Sequence, residues 1–179
     1  DFDYIFHLAA QPGISEKSTF EDYLTNNIVA TKMLIDFTLK NNNLKLFVNI
    51  GTSSIYGKEA CFSEEAQVQP ISNYGVTKLA AEQLVLFHSR IGRIKACSLR
   101  LYSVYGPRER PDKLYPMLIE SAFTGKPFTL FEGSEKHLRS FTFVGDAVDA
   151  IASTLEKEDI LKSQIINIGT EKEQATQDG

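Results

Sequence analysis

Short apolar runs alternate with longer amphipathic stretches along this chain, a pattern that is typical of parallel β-α-β units. We predict a strand in each of the clearest apolar runs. These runs are DYIFHLA at 3–9, LKLFVNIG at 44–51, IKACSLRLY at 94–102 and QIINIG at 164–169. The run at 94–102 is apolar enough for a strand that is covered on both faces. The pattern therefore predicts an α/β protein built on a parallel sheet.

Helical periodicity fills most of the stretches between these runs. The predicted helices lie at about 20–40, 73–91, 114–124 and 145–158, with Gly92 and Gly125 as stops after the second and third. Two more short strands are predicted in PFTLFE at 127–132 and RSFTFV at 139–144. The polar end EKEQATQDG at 171–179 is expected to fray.

Composition narrows the class of protein further. The 179 residues are 42% apolar and 23% charged, which is ordinary for a globular protein, and the net charge of −4 argues against a nucleic-acid partner. The longest apolar runs are far shorter than a membrane span, so we expect no membrane partner. Cys61 and Cys97 stand alone. We interpret them as thiols in a reducing cytoplasm and predict neither a metal site nor a disulfide.

The strongest chemical signal is a tyrosine and a lysine that are four residues apart. Tyr74 and Lys78 in SNYGVTKLAAEQL share one face of a helix, and Thr52 ends an apolar strand. A phenol of ordinary pKa is a poor base at neutral pH, but a nearby cation lowers the pKa of the phenol. A hydroxyl group such as that of Thr52 orients the phenol and the substrate oxygen. Together these groups can remove a proton from an alcohol while a hydride leaves the same carbon.

The spacing alone also fits a solvated surface helix, so its context matters. In open α/β sheets, ligands bind outside the carboxyl ends of the parallel strands. That rule places Leu8–Ala10, Gly51–Ser54 and Leu101–Ser103 at one rim of the sheet. We therefore expect motifs that are far apart in sequence to converge on one site.

Six segments, in the same order, resemble the extended short-chain dehydrogenase/reductase family in its nucleotide-sugar epimerase/dehydratase branch. They are FHLAAQPG at 6–13, NNIVAT at 26–31, GTSSIYG at 51–57, NYGVTKLAAE at 73–82, LRLYSVYGPRERPD at 99–112 and RSFTFVGDAVDAI at 139–151. The resemblance implies a partial Rossmann-like, doubly wound parallel sheet with part of a smaller C-terminal substrate lobe. It implies a dinucleotide-binding domain at 1–106 and a substrate lobe at 107–179, with 139–168 partly returning to the main sheet.

One family motif does not occur in this chain. Members of the family open with a turn of the type G-x-x-G-x-x-G, and the helix that follows the turn holds the cofactor pyrophosphate on its N-terminus. The chain begins at Asp1, at what resembles the fourth strand of the family's sheet. We therefore expect it to be an excised piece or a truncated reading frame, inactive by itself.

The resemblance implies NAD as the cofactor and a UDP-sugar as the substrate, with Thr52, Tyr74 and Lys78 as the catalytic residues. The residues expected at the cofactor are Leu8, Ala9, Ala10, Asn27, Tyr74, Lys78 and Leu101. Those expected at the substrate are Gln11, Ser53, Ser54, Ser103, Arg110 and Arg139.

Several of these assignments leave an alternative open. Asn27 either holds or contacts the region of the catalytic lysine, or it lies on an exposed helix face. Arg110 either reaches the sugar nucleotide or forms a surface salt bridge, whereas Arg139 is expected to bind the diphosphate. Ser103 stands where similar 4-epimerases carry asparagine, which leaves the sugar open. We interpret His7 as a core histidine with a hydrogen-bond partner.

The two residues after Thr52 discriminate between reactions. Dehydratases of this branch place Asp-Glu there, and decarboxylases place Glu at the second position, whereas this chain has Ser53 and Ser54. We therefore predict an NAD-dependent nucleotide-sugar 4-epimerase, which oxidises C4 and returns the hydride to the opposite face. The alternatives are a dehydratase, decarboxylase or 4-keto reductase of the same branch, and an inactive fragment or non-catalytic binding protein on the same fold. A homodimer is expected for the full-length enzyme.

Overall fold

The fold alternates strands and helices along the chain. The structure is a computed structural model, and it describes residues 2–13, 18–41, 43–58, 63–128, 138–170 and 174–175. In chain order the elements are β1 (Tyr4–His7), α1 (Phe20–Tyr23), a π-helical segment (Leu24–Val29), α2 (Ala30–Thr38), β2 (Leu46–Thr52), a 3-10 helix (Ser53–Ile55), α3 (Asn73–Arg90), β3 (Ala96–Leu101), β4 (Ser103–Tyr105), α4 (Leu114–Thr124), β5 (Leu138–Arg139), β6 (Phe141–Phe143), α5 (Val144–Ala152), α6 (Glu158–Leu161), β7 (Ile165–Ile168) and β8 (Gln174–Ala175).

Four parallel strands form the main sheet, in the order β1-β2-β3-β7. The helices α2 and α3 pack on one face of this sheet, and α5 and α6 pack on the other. The predicted Rossmann-like, doubly wound α/β fold is therefore confirmed. Strand β7 follows the smaller pairs β4-β6 and β5-β8 in the chain and pairs with β3 in the main sheet. The division of the chain at residue 106 stays a prediction.

The predicted elements differ from the observed ones mainly at their ends. The helix predicted to run to 158 ends at Ala152, where the hydroxyl groups of Ser153 and Thr154 donate to the carbonyls of Ala150 and Ile151. The short helix α6 that follows was not predicted. Most of PFTLFE lies outside the described residues. The expectation that 171–179 frays is wrong for β8, which pairs antiparallel with β5.

The stops predicted for two helices are confirmed. Gly92 directly follows the residue that caps α3, and Gly125 caps α4, both with positive φ angles of 75° and 68°. Glycine reaches this left-handed conformation without the steric cost that a Cβ imposes. No helix among the described residues is both long and apolar enough to cross a membrane.

One face of the main sheet is apolar over most of its length. The side chains that pack there come from the strands and from α5 and α6, and include Leu46, Val48, Ile50, Cys97, Leu99, Ile151 and Leu161. Burial of this apolar surface against two helices supplies a large favourable contribution to folding.

The opposite face changes from apolar to polar toward the carboxyl ends of the strands. The pairing register aligns Ile5, Phe47 and Ala96 in one row, which packs on Ile35 of α2 and Val85 of α3. Two residues further along, the register aligns polar side chains in the next row, which are His7, Asn49 and Ser98. The polar groups therefore collect beneath the rim where ligands bind in this type of sheet.

A buried ion pair joins α3 to this polar part of the sheet. Arg100 of β3 donates from Nε and Nη2 to the Glu82 carboxylate at 3.0 and 2.7 Å, and Ser98 Oγ donates to the same carboxylate at 2.9 Å. Arg100 Nη1 also donates to the Tyr56 hydroxyl at 2.6 Å, which donates in turn to Asn167 of β7 at 2.8 Å. The network thus ties together a helix, the segment after β2 and two strands.

We predict that removing one partner of this pair is strongly destabilising. Arg100→Leu should lower the free energy of unfolding by about 3–5 kcal/mol, because it leaves the buried Glu82 carboxylate without its counter-charge. The double variant Glu82→Gln/Arg100→Leu should recover part of that loss. Urea denaturation measures both variants, with Lys95→Ala as a control that breaks the exposed Lys95–Asp159 pair. Equal losses for the buried and the exposed pair would contradict the prediction.

Candidate active site

The start of α3 lies directly against the end of β2. The Ser72 hydroxyl caps α3 by accepting a hydrogen bond from Gly75 N at 3.1 Å. A Cβ atom added to Gly75 would lie only 2.8 Å from the Ser54 carbonyl oxygen, so the close approach of the two segments requires glycine at this position. This packing brings Tyr74, the residue before Gly75, to the segment that carries Thr52 and Ser54.

Three hydroxyl groups meet at this junction. Thr52 hydrogen-bonds the phenol of Tyr74. Thr52 Oγ1 also lies 3.2 Å from Ser54 Oγ and accepts a hydrogen bond from Ser54 N at 3.2 Å. The backbone turns into the 3-10 helix at Ser53, which keeps Ser53 and Ser54 next to Thr52. The predicted convergence of the Thr52 strand and the Tyr74 helix is therefore present in the structure.

Lys78 points into the protein rather than into solvent. Its side chain is buried, with a residue exposure of 5%, and Nζ donates to the Ile50 carbonyl oxygen at 2.6 Å. Burial lowers the pKa of Lys78 to about 8, and the nearby Glu82 carboxylate opposes this shift. The lysine is thus fixed to the end of β2, one helical turn after Tyr74.

The pKa of Tyr74 moves in the direction opposite to our expectation. We expected the Lys78 ammonium to lower the pKa of the phenol, but burial raises it, with the hydrogen bond from Thr52 opposing the rise. The reason is that a phenolate loses hydration in this partly buried position, while the ammonium is engaged by the Ile50 carbonyl. The chain by itself therefore keeps the phenol protonated at neutral pH.

Asn27 is buried, so its interpretation as a polar residue on an exposed helix face is wrong. It lies in the π-helical segment and accepts a hydrogen bond from Gln11 N at 2.7 Å through Oδ1. Its Nδ2 donates to Thr77 Oγ1 at 3.0 Å. Asn27 thus links the loop after β1 to the residue that precedes Lys78. Single π-helical turns occur often at functional sites.

The remaining residues that we expected at the cofactor surround the rim. Leu8 and Ala9 are exposed just past β1, and Ala10 is partly buried. Leu101 is the register partner of Thr52 at the end of β3. These positions leave an accessible, mostly apolar surface beside the hydroxyl cluster. A flat ring system can approach the backbone closely where the side chains are as small as Ala9.

The residues expected at the substrate are less uniformly placed. Arg110 forms the surface salt bridge that we considered, with Nε and Nη2 donating to Asp112 at 3.0 and 2.8 Å. Gln11 Nε2 donates to Ser18 Oγ at 3.0 Å. Ser103 begins β4 and donates through its backbone N–H to Ser140 at 3.2 Å. Arg139 lies in β5, and its side chain lies outside the described part of the chain.

Sequence reasoning missed three side chains that support the site, namely Tyr23, Glu82 and Arg100. Glu82 follows Lys78 by four residues, as Lys78 follows Tyr74, so all three share one helix face. That repeated spacing was the available signal for Glu82. Arg100 had no comparable signal, because its contact with Glu82 spans 18 residues and depends on the register of β3.

His7 is a buried core histidine with a hydrogen-bond partner, as we interpreted it. Its Nε2 lies 2.8 Å from Thr31 Oγ1, and its ring packs edge-on against Phe47. Burial lowers the pKa of His7 to about 4, and the charge of Lys78 acts in the same direction. His7 is therefore neutral at physiological pH and fills the polar row beside Asn49.

Comparison with known proteins points to one family. The model for the NAD dependent epimerase/dehydratase family matches residues 1–169. An uncharacterized UDP-glucose epimerase of Bacillus subtilis (strain 168) is 38% identical over 170 residues, which cover 93% of this chain and 53% of that protein.

Solved structures give the same result. The UDP-glucuronic acid 4-epimerase of Bacillus cereus, in complex with UDP-glucuronic acid and NAD, aligns with a TM-score of 0.89 and 35% identity over 98% of this chain and 56% of its own. The dTDP-glucose 4,6-dehydratase of Bacillus anthracis, in complex with NAD, aligns with a TM-score of 0.84 and 25% identity over 97% of this chain and 53% of its own. The chain spans about half the length of these relatives.

We predict that His7 makes the fold sensitive to acid. Between its ordinary pKa of 6.5 and its folded pKa of about 4, the unfolded chain binds a proton that the folded chain does not. The free energy of unfolding should therefore fall as the pH drops through this range, by about 3 kcal/mol from this group. Urea denaturation at pH 7, 5.5 and 4.5 measures the slope. His7→Gln should flatten it, and His88→Gln, near the surface, should retain most of it.

Proposed function

The chain belongs to the NAD dependent epimerase/dehydratase family, and we propose that it carries the catalytic residues of a nucleotide-sugar 4-epimerase. The observation that supports this choice most directly is the cluster of Thr52, Ser54 and Tyr74 at the start of α3. Ser53 and Ser54 provide hydroxyl groups where dehydratases and decarboxylases of this branch need carboxylates to act on a carbon acid. Transfer of a hydride from C4 and back requires no such carboxylate.

The chemistry assigned to this chain's own residues is proton transfer at the sugar C4 oxygen. Tyr74 removes the proton from the C4 hydroxyl group and returns it after the 4-keto sugar has turned over in the site. The Thr52 hydroxyl orients the reacting oxygen and stabilises the phenolate through its hydrogen bond. Ser53 and Ser54 hold the sugar. NAD, when bound, would supply the acceptor and the donor for the C4 hydride.

The residues at the rim fit a nicotinamide cofactor. Leu8 is 59% exposed immediately beyond β1, with Ala9 next to it, so an apolar ring can cover this surface. Lys78 carries three N–H donors, and one of them reaches the Ile50 carbonyl. Ribose hydroxyl groups can accept hydrogen bonds from the same ammonium. We therefore assign the ribose of the nicotinamide to Lys78 and the ring to the surface around Leu8 and Ala9.

We propose a UDP-sugar as the substrate. The support is that the Bacillus subtilis relative is named a UDP-glucose epimerase and the Bacillus cereus enzyme was crystallised with UDP-glucuronic acid. The guanidinium of Arg110 lies beside the loop that carries Gln11, where it adds positive charge to a chain of net charge −4. Arg139 is our candidate for the diphosphate. The proposed site of action is the cytoplasm.

Product analysis tests the proposed reaction. The full-length enzyme should convert UDP-glucose, UDP-galactose or UDP-glucuronic acid to its C4 epimer. Nuclear magnetic resonance of the product should show no loss of water or carbon dioxide. Tyr74→Phe should lower kcat by about 10²- to 10⁴-fold with little change in substrate affinity, because the lost oxygen acts on the proton. Tyr4→Phe serves as the matched control, because it removes a phenol oxygen at the opposite end of β1. A 4-keto-6-deoxy product would assign the protein to the dehydratases instead.

We also propose that the protein is a homodimer. Support comes from α2 and α3, which pack against each other and, with the end of the π-helical segment, expose apolar side chains. These side chains are Val29, Met33, Phe37, Val76 and Phe87. Exposed apolar surface of this kind is more typical of an interface than of a monomer surface.

A substitution on α3 tests the dimer. Phe87→Glu should shift the protein from dimer to monomer, because it places a charge in the centre of the proposed apolar contact. Light scattering after size-exclusion chromatography measures the molar mass. Phe123→Glu is the control, since Phe123 is exposed on α4, away from the proposed interface. An unchanged mass for Phe87→Glu, or a monomeric wild-type protein, would exclude this interface.

A further inference from the structure

Tyr23 is a buried tyrosine that the reaction described above does not use. It is the last residue of α1, immediately before the π-helical segment, and only 3% of it is exposed. Its hydroxyl donates to the Gly13 carbonyl oxygen at 2.9 Å. Tyr23 therefore reaches from the helix to the loop after β1, as Asn27 does one turn later through Gln11 N.

The ring of Tyr23 also faces the candidate base. The centroids of the Tyr23 and Tyr74 rings are 6.4 Å apart with an interplanar angle of 58°, which is an ordinary attractive geometry for two aromatic rings. Asn27 contacts Thr77, three residues after Tyr74 on the same helix. Two residues one turn apart thus hold both the start of α3 and the loop at Gln11–Gly13.

The loop that Tyr23 holds lies beside the Arg110 guanidinium. Gly13 has a positive φ of 69°, and a Cβ added there would lie 3.4 Å from both terminal nitrogens of Arg110. The guanidinium consequently rests against a backbone whose carbonyl is fixed by the Tyr23 hydroxyl. Any movement of this carbonyl changes the surface on which Arg110 lies, next to Gln11.

We propose that Tyr23 is a positioning residue with two separable effects, in which its ring fixes the orientation of Tyr74 and its hydroxyl fixes the Gln11–Gly13 loop against Arg110. The inference rests on the proposed function, because it assumes that Tyr74 transfers the proton and that the sugar nucleotide binds beside the Gln11–Gly13 loop and Arg110. The ring contact acts on the proton-transfer step. The hydroxyl contact acts on substrate binding.

Removal of the hydroxyl alone tests the second effect. Tyr23→Phe retains the ring and loses only the hydrogen bond to Gly13, so KM for the UDP-sugar should rise about 2- to 10-fold while kcat changes less than about twofold. The assay uses the full protein with NAD and the substrate identified by product analysis. Tyr4→Phe is the matched control, because it removes a phenol oxygen at the opposite end of β1 and should change neither constant.

Removal of the ring tests the first effect. Tyr23→Leu should lower kcat by about 10- to 100-fold, because a displaced base loses alignment with the proton it transfers. A measurement that needs no activity accompanies it: with 3-fluorotyrosine incorporated, the fluorine resonance of Tyr74 is assigned by its loss in Tyr74→Phe. That resonance should shift in Tyr23→Leu through loss of the ring contact, and stay nearly in place in Tyr23→Phe and Tyr4→Phe.

The outcomes separate this inference from the proposed function. If Tyr23→Phe and Tyr23→Leu change kcat and KM equally, the variants are generally destabilised and the inference is overturned. An unshifted Tyr74 resonance in Tyr23→Leu also overturns it. If Tyr23→Leu does not fold, Tyr23→Phe decides: a raised KM at constant kcat supports the inference, and any other result overturns it. A wild-type protein without epimerase activity overturns the proposed function, and the Tyr74 resonance then decides the ring contact alone.

Discussion

The ion pair between Glu82 and Arg100 is the constraint around which the polar half of the structure is arranged. Both side chains are almost fully buried, and a charge in such a place is tolerated only with close partners. The Glu82 carboxylate, the aliphatic part of Arg100 and the Ser98 hydroxyl occupy the space over Gly51, where an added Cβ would lie 3.1–3.2 Å from each of them. Glycine before Thr52 is therefore a consequence of the pair. Because Arg100 also binds the Tyr56 hydroxyl, the segment from Gly51 to Tyr56 is held at both ends. A buried ion pair contributes little net stability, because the desolvation of two charges offsets their attraction. We therefore interpret the Glu82–Arg100 pair as a contact that fixes the Gly51–Tyr56 segment against α3.

This constraint explains why the site lies where it does. The apolar row of Ile5, Phe47 and Ala96 anchors α2 and α3 to the sheet without specifying polar geometry. The rows above it contain groups that must be satisfied by particular partners, and those partners come from the two helices. The Thr31 hydroxyl of α2 beside His7 and the Glu82 carboxylate of α3 beside Ser98 are examples. At the carboxyl ends of the strands, buried polar side chains thus lie directly beyond an apolar row that anchors the helices. Buried polar networks of this kind favour a single arrangement of their members.

Much of this arrangement could be predicted from the sequence, because its determinants are local or topological. The four-residue spacing of Tyr74 and Lys78 sets their common face, and the rule for parallel sheets brings Thr52 to them. The π-helical segment could not be predicted, because it accompanies hydrogen bonds between Asn27 and two distant residues. These residues are Gln11, 16 positions away, and Thr77, 50 positions away. The expected direction of the Tyr74 pKa shift was wrong for a related reason. Burial is a property of the assembled fold, and the spacing of two residues does not report it. The end of α5 depends on Ser153 and Thr154, whose hydroxyl groups compete for the last carbonyls of the helix.

Burial is the largest cause of the pKa shifts of both Tyr74 and Lys78. Burial disfavours both the phenolate and the ammonium, so it raises the pKa of the first and lowers that of the second to about 8. Each shift is opposed by a single neighbour, Thr52 for the phenol and Glu82 for the ammonium. At neutral pH the site accordingly holds an ammonium and a protonated phenol. The same burial thus favours the neutral form of both groups, and proton removal by Tyr74 has to overcome the first of these two shifts.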